Sequence, residues 1–390
     1  MRWGATMRAD SDPMMAVRFI SAAEAADREV VVTWSDGSTS RFHHRWLRDN
    51  SPGALHPQTQ HRVEETSRLD RWLKPDGVTV TADGALHLRW PDGHESTFGS
   101  AWLNVHDYSA GARWQPHQPE LWDGTFADRV ARISHAELVG DMPARISWLR
   151  AFRANGVAIV TGIEHREGIV AEIGEDLGRV RTTSWGRVFD VRSIENANSV
   201  AYTGLPLVLH TDEGYRDPAP TVQLQHFLVN DAGGGATTLV DGFKVAADLR
   251  SSDPAAFDLL VRTTMRFHFR DQDIELTAEG STIELDPRGD VRSVRYSNHS
   301  CQPFLVDPDE MDALYDAYTT FGAMREDPAY RIQIPMAAGE MYMVDNRRVM
   351  HGRTGLTSGG GRHLQSCYVE IDELLGRLAV LERSVAVAAV

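Results

Sequence analysis

Cysteine is nearly absent from this chain: Cys301 and Cys367 are the only two in 390 residues, and neither belongs to a Cys-x-x-Cys pair. Two such thiols cannot build a disulfide framework, and a reducing cytoplasm is the compartment that suits them. Basic charge is also in deficit, with 40 Lys and Arg against 55 Asp and Glu and a formal net charge of −15. Neutralising a phosphate backbone needs a basic face, so nucleic acid is not an expected partner. No apolar run approaches the roughly 20 residues that span a bilayer, and the N-terminus lacks the continuous apolar stretch of a signal peptide, so no membrane partner is expected. What remains is an ordinary globular composition, 42% hydrophobic and 24% charged, which argues against wholesale disorder. At roughly 150 residues per domain the length predicts two domains and a substantial core. An intracellular enzyme or small-molecule-binding protein fits these limits.

The first fifteen residues hold Met1, Met7, Met14 and Met15 with little periodicity and read as a loose extension. Residues 16–108 read as a small β-rich domain. The β-branched run Glu29–Trp34 meets the turn signal Ser35-Asp36-Gly37-Ser38, and the phrase recurs as Leu86–Trp90 followed by Pro91-Asp92-Gly93. Two Trp-x-Asp-Gly hairpins are too few for a repeat architecture. A polar stretch, Asn104–Asp123, marks the boundary, and residues 109–390 form the second domain. There Met142–Asn155 and Glu167–Gly178 read as helices around the buried strand Val157–Thr161. Beyond Tyr202 short strands dominate: Leu205–Leu209, Thr221–Val229, Ala236–Val240, Val291–Tyr296, Arg331–Ile334, Glu340–Val344 and Leu364–Glu370. One helical insert falls around Pro308–Met324, and a helix at Glu373–Arg383 closes the chain. A mainly β fold with flanking helices, a sandwich or jelly roll, is the expectation.

His-x-Asp/Glu occurs at His135, His165 and His210; among sixteen histidines, one or two such tripeptides arise by chance. His135 and His165 lie in polar, turn-like surroundings. His210 follows the apolar run Leu205–Leu209, where a strand leaves the core, and residues i and i+2 of an extended segment project to one side. His210 and Asp212 can therefore reach one ion, and a distal His351 follows the strand-like run Met341–Val344. Two imidazoles and one carboxylate leave about three positions open on an octahedral ion, the donor set of non-haem Fe(II) that must bind a co-substrate and O2 together. Arg362, eleven residues past His351, is placed to form a bidentate salt bridge to a dicarboxylate on the metal, and Thr237 after Gly234-Gly235 to add a hydroxyl. The competing reading leaves the histidines as polar strand ends and Arg362 as a solvated charge.

The chain resembles the γ-butyrobetaine and trimethyllysine hydroxylases, within the taurine-dioxygenase-like Fe(II)/2-oxoglutarate oxygenases. The likeness runs from about Val17 to Leu378. It is carried by Trp46-Leu47-Arg48-Asp49-Asn50, Trp90-Pro91-Asp92, Val200-Ala201-Tyr202-Thr203, His210-Thr211-Asp212, Val240-Asp241-Gly242-Phe243, Asp345-Asn346, His351-Gly352-Arg353 and Arg362-His363-Leu364. The resemblance implies a double-stranded β-helix catalytic domain behind an N-terminal β domain. It also implies iron held by His210, Asp212 and His351, 2-oxoglutarate held by Arg362 and Thr237, and a homodimer. The chain departs from animal members at a zinc site: Ser51, Gly53 and His56 stand where they have cysteines, while His94 matches their histidine. Two imidazoles without thiolates make a poor structural site, so no zinc is expected.

The same resemblance places Trp185, Phe189, Tyr202 and Tyr368 at positions of an aromatic cage, which recognises a quaternary ammonium through ring faces because that group has no N–H to donate. Glu213 replaces a residue that is often aromatic; three roles stay open for it, attracting a cation, favouring a less methylated amine, or pointing away. Asn298 matches a position that contacts the substrate's acid group, with His299 and Arg216 as nearby sources of charge. The expected function is hydroxylation of an unactivated C–H bond of a small trimethylammonium zwitterion such as γ-butyrobetaine. Two alternatives stand beside it: an oxygenase acting on an aminoalkylphosphonate such as 2-(trimethylamino)ethylphosphonate, and a catalytically silent metabolite-binding relative.

Overall fold

The computed structural model describes residues 18–59, 61–109, 117–192, 205–231, 233–356 and 361–388. The N-terminal extension and Tyr202 lie outside them. The chain divides into two compact units between Pro116 and His117. Among the described residues, no helix is long and apolar enough to cross a membrane.

The first unit repeats one plan twice. Strands Ile20–Ala25, Glu29–Trp34 and Thr39–His43 form an antiparallel sheet followed by the short helix His44–Asp49. Gly77–Val80, Leu86–Arg89 and Glu95–Phe98 form another, followed by Ser100–Val105. In each Trp-x-Asp-Gly hairpin the glycine turns the chain at positive φ, 83° at Gly37 and 81° at Gly93, a region that strains other residues. In each the tryptophan indole also donates to a serine six residues on, Trp34 to Ser40 (2.6 Å) and Trp90 to Ser96 (2.8 Å). This satisfies the one polar atom of a ring buried with Val30, Phe42, Leu86 and Phe98. The second chain of bonds continues from Ser96 to Ser51 (2.9 Å) and on to His94 Nε2 (2.8 Å). Hydroxyls thus stand beside His94 where a zinc site would need thiolates.

The second unit is a sandwich between two helical layers. Its larger sheet runs Phe189–Arg192, Arg362–Val369, Val222–Asn230, Met341–Asp345, Val157–Thr161, Ala131–Ser134, with Val180–Arg181 also pairing on Arg362–Val369. The smaller runs Leu207–His210, Val349–Arg353, Thr237–Asp241, Arg331–Ile334. Because side chains alternate across a strand, each strand serves two cores. Phe227, Tyr342, Val344 and Leu364 meet Leu239, Ile332 and Val349 between the sheets. Leu224, Met343 and Cys367 pack outward among the helices Met142–Asn155, Ile169–Leu177 and Ile371–Ala388. Leu209, Val240 and Met350 pack outward among Gly242–Ser252, Pro254–Arg262 and Met311–Glu326.

Two expectations need correction. The helices Gly242–Ser252 and Pro254–Arg262 lie where the sequence reading has short strands on either side and only one later helical insert. Aspartate caps open both: Asp241 accepts the Phe243 N–H and Asp253 the Ala256 N–H, with Pro254 in the first turn. His351 does not merely follow a strand; it sits in the middle of Val349–Arg353. The phrases Val240–Phe243 and Asp345–Arg348 meet as a buried joint in which Arg348 binds both Asp241 oxygens (3.0 and 2.8 Å) and the carbonyls of Ala154 and Glu120 (2.7 and 2.6 Å). Gly242 is required there, since a Cβ would lie 2.7 Å from the Arg348 carbonyl oxygen.

Candidate active site

Two imidazoles share one rung of the smaller sheet. His210 pairs in register with His351, and their ring centres stand 4.6 Å apart. The ladder is irregular between Leu207 and His210, the kind of local shift that re-aims a side chain at the end of a strand. His210 Nδ1 lies 2.9 Å from the Val208 carbonyl oxygen. A carbonyl can only accept, so Nδ1 carries a proton, and Nε2 faces Asp212 Oδ1 at 3.2 Å. His351 Nε2 lies 3.4 Å from the same oxygen. One ligand atom from each of the three residues falls within 4.8 Å of the other two, the single such group of His, Cys, Asp and Glu among the described residues.

Asp212 is clamped from behind. Asn346 accepts its backbone N–H (2.7 Å) and donates to its carbonyl (3.0 Å) and to that of Pro220 (2.9 Å). Carboxylate oxygen Oδ2 accepts from the Tyr368 hydroxyl (2.8 Å) and from the Gln223 amide, leaving Oδ1 to face the imidazoles. Burial alone would push this carboxyl up, but His351 and His210 outweigh it and hold Asp212 far below the usual carboxylate range. Burial also lowers His351, against the opposing pull of Asp212. Two imidazole nitrogens and one carboxylate oxygen converging on one point suit a divalent ion with several positions left open.

Two arginines, Arg353 and Arg362, stand near enough for the charge of one to lower the other. Thr237 and Arg353 are cross-strand partners on the smaller sheet and are almost fully buried. Arg362 opens a strand of the larger sheet, its guanidinium 5.5 Å from the Phe227 ring, its Nε without a hydrogen bond. Burial, and next the charge of Arg353, lower Arg362 to about 10. Gly235, at φ +67°, lets the neighbouring loop close over it: a Cβ there would meet Leu356 at 2.6 Å and approach Arg362 Nε at 3.8 Å. Among the described residues no carboxylate pairs with Arg362, so this end of the site is built for an anion.

The expected cage is divided. Phe189 and Tyr368 come together, ring centres 5.3 Å apart. Trp185 instead packs on Phe269 (5.1 Å), which stacks on Tyr215 (4.9 Å). Glu213 is 7% exposed and holds a left-handed φ of 50°. Its Oε2 pairs with Arg216, which also donates to Ser184 (2.6 Å), while Oε1 has no hydrogen bond. Burial pushes the Glu213 carboxyl up to about 7 against the pull of Arg216. Asn298 is exposed and accepts from the Tyr318 hydroxyl (3.0 Å), and the neighbouring His299 meets His210 edge-on at 5.7 Å. Gln223, Tyr215 and Phe269 escaped the sequence reading. Asn346 and Arg353 stood inside the quoted phrases Asp345-Asn346 and His351-Gly352-Arg353, which were the signal for them.

A jelly roll whose interior gathers two imidazoles, one carboxylate and an arginine-lined anion end defines an Fe(II)- and 2-oxoglutarate-dependent dioxygenase. The comparisons agree. The sequence model described as taurine catabolism dioxygenase TauD, TfdA family matches residues 136–368, and that described as gamma-butyrobetaine hydroxylase-like, N-terminal, matches residues 22–104. The gamma-butyrobetaine dioxygenase of Pseudomonas sp. (strain AK-1) is 35% identical over 372 residues, covering 93% of this chain and 96% of its own. The human gamma-butyrobetaine dioxygenase is 27% identical (94% and 98%), and the mitochondrial trimethyllysine dioxygenase of Gallus gallus 27% identical (87% and 83%). The chain belongs to the taurine catabolism dioxygenase TauD, TfdA family.

Proposed function

We propose that His210, Asp212 and His351 hold the iron, that Arg362 binds the distal carboxylate of 2-oxoglutarate with Thr237 donating beside it, and that the enzyme hydroxylates a small trimethylammonium zwitterion, with γ-butyrobetaine as the nominal substrate. The observation that carries this reading is the convergence of both Nε2 atoms on Asp212 Oδ1. The bound iron would supply oxygen activation coupled to decarboxylation of 2-oxoglutarate. The chain supplies the rest. Tyr368 and Gln223 hold Asp212 turned so that Oδ1 faces the imidazoles, and the Arg362 guanidinium orients the co-substrate. Phe189 and Tyr368 take the ammonium head on their ring faces, Trp185 and Tyr202 are the further cage positions that the family resemblance assigns, and Asn298 addresses the acid group. The relatives of high coverage that carry gamma-butyrobetaine dioxygenase in their names support the substrate class. A cytoplasmic homodimer completes the proposal.

Anaerobic titration with Fe(II) and 2-oxoglutarate should develop a metal-to-ligand charge-transfer band that His210→Ala and Asp212→Ala abolish. Succinate release should then depend on γ-butyrobetaine. Wild-type protein without that band would end the oxygenase reading, and a band without betaine-stimulated succinate release would end the substrate reading. Light scattering after gel filtration should give twice 43.4 kDa; a monomer would remove the dimer.

A further inference from the structure

The segment proposed to hold iron and the segment proposed to meet the acid group are bonded to each other. Thr211 lies between His210 and Asp212; its N–H donates to the Tyr296 carbonyl (2.9 Å), and its Oγ1 accepts the Tyr296 N–H (3.1 Å). Both residues are almost fully buried. Asn298 follows two residues after Tyr296, and His299 beside it reaches the His210 ring. A buried cation ties this joint together from the helix Met311–Glu326. Arg325 donates from Nη1 to the Leu209 carbonyl (2.5 Å), pairs with Glu326 (2.8 Å) and holds its guanidinium 4.5 Å from the centre of the Tyr296 ring. That ring also stacks on Tyr318 (4.6 Å, 12° between planes), whose hydroxyl donates to Asn298. Leu209, Thr211, Tyr296 and Asn298 are thus linked by contacts that all pass through Tyr296 or Arg325.

We infer that Tyr296 and Arg325 are positioning residues that set the span between the metal ligands and Asn298, and that this span decides which carbon of the substrate lies over the metal. The inference rests on the reading that Asn298 holds the acid group, and it deepens that reading. A short zwitterion offers several C–H bonds of similar strength, so chemistry alone does not choose among them. The choice falls to geometry, and a misplacement of about 1 Å costs about 10²-fold in rate. A neighbouring carbon along the chain lies a step of that size away. An acid-group contact on a free loop would let the chain slide by such a step, whereas one bonded to the metal-binding segment holds it in place.

The test uses the intact protein with γ-butyrobetaine and two readouts. With Fe(II) and 2-oxoglutarate, wild type should hydroxylate one carbon and release product and succinate in equal amounts. With Mn(II) in place of iron, proton NMR should show one methylene of the bound betaine relaxing fastest. Arg325→Met releases the Leu209 carbonyl and the Tyr296 ring. Gly322→Ala sets a Cβ 2.7 Å from the Tyr296 hydroxyl and displaces the ring, while alanine favours the helix. In each variant hydroxylated product per succinate should fall about tenfold, and the leading methylene should lose its lead. A purely structural role would lower the melting temperature and move neither readout. Unchanged coupling and unchanged relaxation order in folded variants, or two hydroxylated carbons from wild type, would overturn the inference while leaving the acid-group reading standing. Calorimetry in which Asn298→Ala binds γ-butyrobetaine as tightly as wild type would overturn the acid-group reading and this inference with it. Should Arg325→Met not fold, Gly322→Ala decides.

Discussion

Arg362→Met should move two measurements in opposite directions. The guanidinium cannot shed its proton near neutral pH, so it stays charged in a setting that lowers its pKa from 12.5 to about 10. Both values lie well above pH 7, so the whole cost of holding that charge is present there. At ~1.36 kcal/mol for each tenfold change it amounts to about 3 kcal/mol, which solvent at the edge of the side chain trims to about 1–2 kcal/mol. Methionine keeps the length and packing of the stem without the charge. The metal-free protein should therefore gain stability and melt about 1–4 °C higher by scanning fluorimetry. The same substitution removes the partner of a desolvated carboxylate, an interaction whose loss costs about 2–5 kcal/mol, so the dissociation constant for 2-oxoglutarate should rise at least about thirtyfold. A variant that lost stability in the metal-free state would refute the reasoning, because Arg362 would then be part of the structural framework and not a charge waiting for an anion.

Other expectations can be checked with similar means. Tyr368→Phe removes one of the two donors on Asp212 Oδ2 and should weaken Mn(II) binding, read by calorimetry, about 10- to 100-fold; unchanged affinity would discount the clamp. Arg348→Met leaves Asp241, with no solvent exposure, without its ion-pair partner, and should cost about 3–5 kcal/mol in urea denaturation. Burial lowers His226, both of whose ring nitrogens lack hydrogen bonds, to about 4, with His165 and His135 adding to the effect. The unfolded imidazole takes its proton near 6.5, so between about pH 6.5 and 4 the unfolded state binds more protons and stability falls as pH drops. This loss should reach about 2 kcal/mol, and His226→Leu should flatten that slope in urea titrations at pH 7 and pH 5.

The parts of this molecule legible in its sequence are those decided by neighbours along the chain. Met142–Asn155 was readable to the residue, because an aspartate cap with a proline opens it and Gly156, at φ 73°, closes it. The β-branched run Glu29–Trp34 announced its strand just as directly. His210 and Asp212 were legible as a pair because a two-residue spacing is local. What pairs with what across the fold was not. Gln223 carries no local mark of function; only the register of Val222–Asn230 beside Arg362–Val369 places it in the same interior as Tyr368. The division of the cage had the same origin, since Phe269 reaches Trp185 from a hairpin, Met265–Arg270 with Glu275–Gly280, that the sequence reading passed over.

The shared rung of His210 and His351 has a consequence for how this enzyme can fail. A slip of one residue between their strands would carry one imidazole to the opposite face, where Leu209 and Met350 now meet the helices. Misfolded chains should thus be blank with respect to iron instead of weakly loaded, and metal content per molecule becomes a direct count of correctly paired protein.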